Sequence, residues 1–101
     1  MGVNIMANNY RNERLKVGDI VQHFKRENSE DKNQYLYKIL GFAEHTETGE
    51  KLVVYQALYK NNTGVNYGIY CRPYEMFMGE VDHEKYPNYS QKYRFELIDN
   101  V

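Results

Sequence analysis

The chain has little of several residue types, and each scarcity narrows the class of protein. It contains one cysteine, two prolines and no tryptophan in 101 residues. A single cysteine, Cys71, cannot form an internal disulfide, which favours a reducing compartment such as the cytoplasm. No apolar run approaches the roughly 18 residues of a membrane helix, and the N-terminus lacks the apolar segment of a signal peptide. The sequence therefore predicts a cytoplasmic protein without a membrane partner.

An excess of charge of either sign is also missing. The net charge is -1, from 13 basic and 14 acidic residues, so the field of the whole molecule does not attract polyanions. Eleven Tyr and four Phe supply the bulky apolar surface, and a hydrophobic fraction of 42% is too high for a disordered chain. The length of the chain is sufficient for a single hydrophobic core. We expect one domain at 15–101, preceded by a polar, flexible arm at 1–14.

The segment 35–59, YLYKILGFAEHTETGEKLVVYQALY, predicts a β-hairpin. Two runs rich in Tyr, Ile, Leu and Val flank a polar stretch in which Thr48 and Gly49 provide the positive φ that a hairpin turn requires. We predict strands at 35–40 and 52–58. The second has no charge over seven residues and is predicted to be the central strand.

Further short strands are predicted at 20–24, at 68–72, where Pro73 ends the strand, and at 93–98. One helical turn at 74–78 is expected to close the end of the fold with Met76 and Phe77. The segment 26–34 has no apolar residue and predicts a mobile loop that folding does not need. This pattern predicts an all-β fold, a small partly open barrel of about five strands. Its predicted core is Phe24, Ile39, Val53, Tyr55, Ile69, Phe77 and Phe95.

Several motifs resemble a bacterial family of proteins of unknown function, number 1653. They are AEHTETGEKLVVYQALY from Ala43, RPYEMF from Arg72, His-Phe-Lys at 23–25 and Arg-Phe at 94–95. The resemblance implies a small all-β domain of the SH3-like barrel type, and it implies no established activity. The interval between Lys25 and Tyr37 is longer here than the family pattern. Cys71 stands where the family has an aliphatic residue, so we expect it to be buried.

Catalytic and metal chemistry find weak support in the sequence. His23, His45, Cys71 and His83 have none of the short spacings that identify a zinc site, so we predict neither a metal nor a cofactor. His45 with Glu47 offers an acid–base pair in the hairpin loop. The competing interpretation is that His45 accepts backbone hydrogen bonds within the turn.

Arg72 and Arg94 lie at strand ends among apolar residues. Each arginine either pairs with a carboxylate, such as Glu75 or Glu96, or forms part of an anion clamp. Two functions follow. The first is a non-catalytic binding module for a protein, peptide, nucleic-acid or small-ligand partner; the alternative is a small hydrolase that acts on an anionic substrate through His45 and Glu47. The candidate binding residues are His23, Lys25, His45, Glu47, Tyr55, Arg72 and Arg94.

Overall fold

Five strands and two short helical segments form the fold. The computed structural model describes residues 14–30, 34–58 and 68–98. Residues 1–13 of the predicted arm at 1–14, and residues 31–33 of the predicted loop at 26–34, lie outside these ranges. In chain order the elements are β1 (Ile20–His23), a 3-10 helix (Phe24–Asn28), β2 (Leu36–Glu44), β3 (Lys51–Ala57), β4 (Ile69–Pro73), α1 (Tyr74–Met78) and β5 (Phe95–Leu97).

The strands form one antiparallel sheet in the order β4-β3-β2-β1-β5. This confirms the prediction of an all-β, partly open fold with one short helical turn. The central strand is β2, so the prediction that 52–58 would be central is wrong. We expected an uncharged strand to be central, but in β3 only the side chains on the inner face are buried. Pro73 ends β4 at an edge of the sheet, where a missing N–H donor costs no ladder bond.

The hairpin of β2 and β3 forms as predicted. Gly49 has a φ of 77°, and its N–H donates to the carbonyl oxygen of His45 at 2.8 Å. That conformation is strained for residues with a Cβ, so glycine suits the position. The register shifts between Ile39 and Gly41, which indicates a bulge at Leu40. A bulge of this kind increases the local twist and helps the sheet curve over its core.

The inner face of the curved sheet carries the core. Phe77 of α1 stacks on Phe95 with ring centroids 3.9 Å apart, and the Tyr55 ring lies against both. These large apolar groups are withdrawn from water, which is the main source of stability in a domain of this size. The core cluster consists of Leu15, Val21, Ile39, Val53, Tyr55, Tyr74, Phe77, Met78 and Phe95.

Three residues expected in the interior are exposed. Ile69 is 61% exposed, and Cys71 is also exposed, although both were predicted to be buried. The register explains this, because the β4 residues Tyr70 and Arg72 pair with the inward-facing Tyr55 and Val53. Since strand side chains alternate, Ile69 and Cys71 must point to the outer face of an edge strand. In α1, Phe77 is buried as predicted while Met76 faces outward.

The predicted loop at 26–34 is partly structured, which corrects the expectation of a mobile segment for the residues described. Arg26 to Asn28 belong to the 3-10 helix, and Glu27 accepts hydrogen bonds from the Ser90 and Gln91 backbone N–H groups. This segment packs through polar contacts, which the sequence pattern does not reveal. A segment without apolar residues can therefore still be held by hydrogen bonds to the rest of the fold.

The chain outside the strands is fixed by further polar contacts. The Arg14 guanidinium donates to the carbonyl oxygens of Phe95 and Met78 and lies 3.7 Å from the centre of the Tyr93 ring. Tyr93 forms a single bridge with Glu80 instead of joining β5, so the last strand is shorter than predicted. No helix in the described ranges has the length and apolar character needed to cross a membrane.

Candidate functional site

A cleft of about 500 Å³ opens at one end of the sheet. It is framed by the end of β1, the start of the 3-10 helix, the start of β2, the end of β4 and the residues just before β5. Its lining residues are His23, Phe24, Lys25, Tyr35, Tyr37, Arg72, Met76, Asp82, Lys85, Tyr86 and Arg94. Of the seven predicted binding residues, four therefore meet here: His23, Lys25, Arg72 and Arg94.

The backbone register places His23 and Arg72 on the inner face of the sheet. His23 pairs with Phe95 in β5 and follows the buried Val21 by two residues, so it shares that inward face. Arg72 pairs with Val53, which is also buried. Polar side chains on the inner face occur at the end of the sheet, where the apolar core gives way to the cleft.

Arg72 is held in place by its neighbours. Its Nε donates to the Tyr55 hydroxyl oxygen at 2.8 Å, one Nη lies 3.9 Å from the Met76 sulfur, and the guanidinium carbon is 5.6 Å from the Phe95 ring centre. In the part of the chain that the structure describes, no carboxylate lies within ion-pair distance of Arg72. The predicted alternative of a pair with Glu75 is thus not seen.

Arg94 also lines the cleft and also contacts Met76. One of its Nη atoms donates to the Met76 carbonyl oxygen at 2.8 Å, so both guanidinium groups contact Met76. The carboxylate of Glu96 accepts instead from the backbone N–H groups of Lys92 and Tyr93. Within residues 14–30, 34–58 and 68–98, Arg94 has no carboxylate partner either.

Tyr55 does not line the cleft, but it contacts Arg72, which does. Burial raises the pKa of its hydroxyl, and the hydrogen bond and charge of Arg72 only partly oppose that change. The hydroxyl therefore stays protonated at neutral pH, and its oxygen accepts from Arg72. Tyr55 is thus a positioning residue in this geometry.

His23 is almost fully buried and is held in one orientation. Its ring packs edge-on against Phe95 with centroids 4.9 Å apart, and its Nδ1 accepts the Lys25 backbone N–H at 3.2 Å. Desolvation, followed by the charges of Arg72, Lys25 and Arg94, lowers the pKa of His23 to about 4. The imidazole is therefore neutral at pH 7.

The outer part of the cleft combines charge with an aromatic ring. Lys25 Nζ and Lys85 Nζ lie 5.5 Å and 5.4 Å from the centre of the Tyr86 ring, within the range of cation–π contacts. Asp82 is the one carboxylate in the described lining, and its Oδ1 accepts from the backbone N–H groups of Glu84 and Lys85. The cleft is thus strongly basic although the whole protein is not.

His45 and Glu47 lie in the hairpin turn and do not line this cleft. The Nδ1 atom of His45 accepts the backbone N–H groups of Glu47 and Thr48 at 3.2 Å and 3.3 Å. These contacts match the interpretation that His45 supports the turn. In the described residues, no three His, Cys, Asp or Glu side chains are grouped so that they could hold a metal ion.

Sequence reasoning missed most of the aromatic lining and the loop that carries Asp82, Lys85 and Tyr86. Tyr37 in β2 was a usable signal, since strand alternation puts it on the face of Ile39, whereas Tyr35 lies in the turn before β2 with a φ of 66° and is not placed by alternation. The loop gave no such signal. It reaches the cleft through contacts distant in sequence, including the hydrogen bonds from Ser90 and Gln91 to Glu27.

Comparison with curated proteins and with solved structures finds no match. The family model described as "Protein of unknown function (DUF1653)" matches residues 19–97, which cover every strand of the sheet. This confirms the resemblance seen in the sequence motifs. The chain belongs to the DUF1653 family.

Proposed function

We propose that this protein is a non-catalytic binding module that holds an anionic group of its ligand in the basic cleft, with Arg72 as the main polar anchor. The observation that carries the proposal is that Arg72 and Arg94 both line the cleft and both contact Met76, and that neither has a carboxylate partner in the described structure. Guanidinium groups bind carboxylates and phosphates through a planar fork of donors.

The charge of the cleft supports the same function. Lys25, Arg72, Lys85 and Arg94 face a single carboxylate, Asp82, whose Oδ1 is already engaged by backbone N–H groups. Walls of low polarizability strengthen electrostatic attraction to a bound anion. The volume of about 500 Å³ suits a small ligand or a single side chain of a partner.

The alternative hydrolase has less support. His45 and Glu47 are exposed at the hairpin turn, and the His45 Nδ1 atom is occupied by backbone N–H groups. An acid–base pair has to be placed beside its substrate, and the basic cleft that would hold an anionic substrate has its lining residues elsewhere.

Substitution of Arg72 by lysine tests the proposal. Phenyl phosphate and benzoate serve as probes, and binding is followed by amide chemical-shift changes in the full chain. Arg72→Lys should weaken binding of the preferred probe about tenfold, which corresponds to roughly 1.4 kcal/mol, because an ammonium group lacks the bidentate geometry. Lys38→Ala, at an exposed position of β2 on the face opposite to Tyr37, is the matched control and should bind as the wild type does.

Two results would reject the anchor role. One is that Arg72→Lys binds both probes with wild-type affinity; the other is that its free energy of unfolding falls by several kcal/mol, as expected for a scaffold residue in a buried pair. We expect a loss of only about 1 kcal/mol from the hydrogen bond to Tyr55.

A further inference from the structure

His23 contributes a neutral imidazole to the lining of the positively charged cleft. Its Nδ1 atom accepts the Lys25 backbone N–H, so the ring proton of the neutral imidazole resides on Nε2. The described residues provide no hydrogen-bond partner for Nε2. Because His23 lines the cleft, this N–H is a donor available to a ligand.

Cationic side chains come from three of the segments that pack around His23. Lys25 comes from the 3-10 helix, Arg72 from β4 and Arg94 from the residues before β5, and all three act on its titration. The Tyr35 ring, in the turn before β2, has its centroid 5.9 Å from that of His23, and Phe95 of β5 contributes an apolar ring. The three charges that lower the pKa of His23 are therefore all positive, and Asp82 is the one carboxylate in the described lining of the same cleft.

Resting on the proposed function, we propose that the anionic group is a phosphate monoester, held by Arg72, Arg94 and the Nε2–H of His23, and that binding puts a second proton on His23. A phosphate monoester carries about 1.5 to 2 negative charges at neutral pH and three strong acceptor oxygens. Three donor side chains and a clear excess of positive charge match this group better than a carboxylate with one charge and two oxygens.

The proton uptake follows from electrostatics. Positive neighbours and burial hold His23 neutral in the free protein. A doubly charged anion bound beside His23 offsets the positive potential of the three cations and accepts a hydrogen bond from Nε2. Both effects favour the imidazolium. By linkage, the protonated protein must then bind the phosphate more tightly than the neutral protein does. Nδ1 then carries the second proton, so the Lys25 N–H must give up its acceptor.

The test measures the protonation of His23 directly. The pH dependence of the binding affinity would not be enough, because the phosphate itself titrates near pH 6. The full chain is labelled with ¹³C at histidine Cε1, and the His23 resonance is followed from pH 4 to 8 alone, with saturating phenyl phosphate, and with saturating benzoate. Phenyl phosphate should raise the His23 pKa by at least about one unit, which is tenfold tighter proton binding. The His45 resonance, on the exposed hairpin, is the internal control, and neither probe should change its chemical shift.

Each other outcome rejects a defined part of the argument. If phenyl phosphate shifts the amides of Arg72 and Arg94 but His23 titrates as in the free protein, proton uptake is wrong and the anion-binding function stands. Benzoate binding as tightly as phenyl phosphate would reject the phosphate monoester and leave the function. If neither probe shifts these amides, both the inference and the proposed function are rejected.

Discussion

The hydrogen bond between Arg72 and Tyr55 shows how a residue of the core can fix the orientation of a charged side chain. Tyr55 packs its ring in the core, and its hydroxyl, which does not line the cleft, accepts from the Arg72 Nε. This contact orients the guanidinium and leaves its outer edge toward the cleft. A residue that packs and positions at once is hard to substitute without changing both roles.

Replacing Tyr55 by phenylalanine separates these roles. Tyr55→Phe keeps the ring but removes the acceptor, so the free energy of unfolding should fall by about 1 kcal/mol. Phenyl phosphate binding should weaken several-fold, because Arg72 is no longer held in one orientation. Urea unfolding and amide shift titration measure the two effects.

The control is Tyr70→Phe on β4. Tyr70 lies 5.9 Å from the Tyr55 ring, but its side chain is half exposed. This variant should match the wild type in stability and binding. Equal binding by Tyr55→Phe and the wild type would show that Arg72 needs no support from the hydroxyl.

At the scale of the elements, sequence patterns predicted the segments that follow a local periodicity or turn pattern. They missed the segments that are held by long-range polar contacts. Alternation and turn residues identified the hairpin and the helical turn at 74–78, since these depend on neighbours in sequence. The 3-10 helix depends instead on residues more than 60 positions away. Ile69 was misplaced for a related reason, because only the register with β3 decides which face it takes.

The loop that carries Lys85 and Tyr86 depends on Gln91 and Glu27. The buried Gln91 amide donates to the carbonyl oxygens of Gln22 and Tyr93 and accepts from Arg26 Nε. Desolvation raises the pKa of Glu27, but hydrogen bonds from Ser90 and Gln91 and the charge of Arg26 outweigh it, so the pKa lies below its ordinary value. The 3-10 helix is therefore a clamp for one wall of the cleft.

Glu27→Gln tests this clamp. The amide retains one acceptor oxygen in place of two charged ones, so the variant should lose about 1 kcal/mol of unfolding free energy, a modest amount because the group is largely in contact with solvent. Its amide shifts should change most at Ser90 and Gln91. Glu30→Gln, an exposed position two residues beyond the helix, should behave as the wild type. A stability of Glu27→Gln equal to that of Glu30→Gln would show that the clamp does not hold the loop.

At the scale of the whole molecule, the cleft concentrates positive charge in a protein whose net charge is -1. Composition could not reveal this, because the acidic residues that balance the total lie outside the cleft, apart from Asp82 in the described lining. The motifs did contain His23, Lys25, Arg72 and Arg94, but only the curvature of the sheet brings β1, β4 and the residues before β5 together. The cost of gathering like charges around a buried imidazole should appear in the stability of the entire fold.

Stability should therefore fall in mild acid because of His23. Its pKa is about 4 in the folded protein, below the ordinary value of 6.5, so the unfolded chain binds more protons between these two values. The contribution of His23 is fully present above about pH 6.5, is lost as pH falls, and changes no further below about pH 4. After allowance for solvent screening, the loss between pH 7 and pH 5 should be about 1 to 2 kcal/mol.

Urea unfolding of the wild type, His23→Gln and His45→Gln at pH 7 and pH 5 measures this loss. Glutamine at position 23 preserves polarity without titrating, so His23→Gln should lose much less stability than the wild type over the same interval, whatever its stability at pH 7. His45→Gln controls for the removal of a histidine from an exposed site and should follow the wild type. The prediction is wrong if His23→Gln loses as much stability as the other two proteins between pH 7 and pH 5. The acid sensitivity would then arise from groups outside the cleft. It would not arise from the His23 imidazole, which Arg72, Lys25 and Arg94 help to keep neutral.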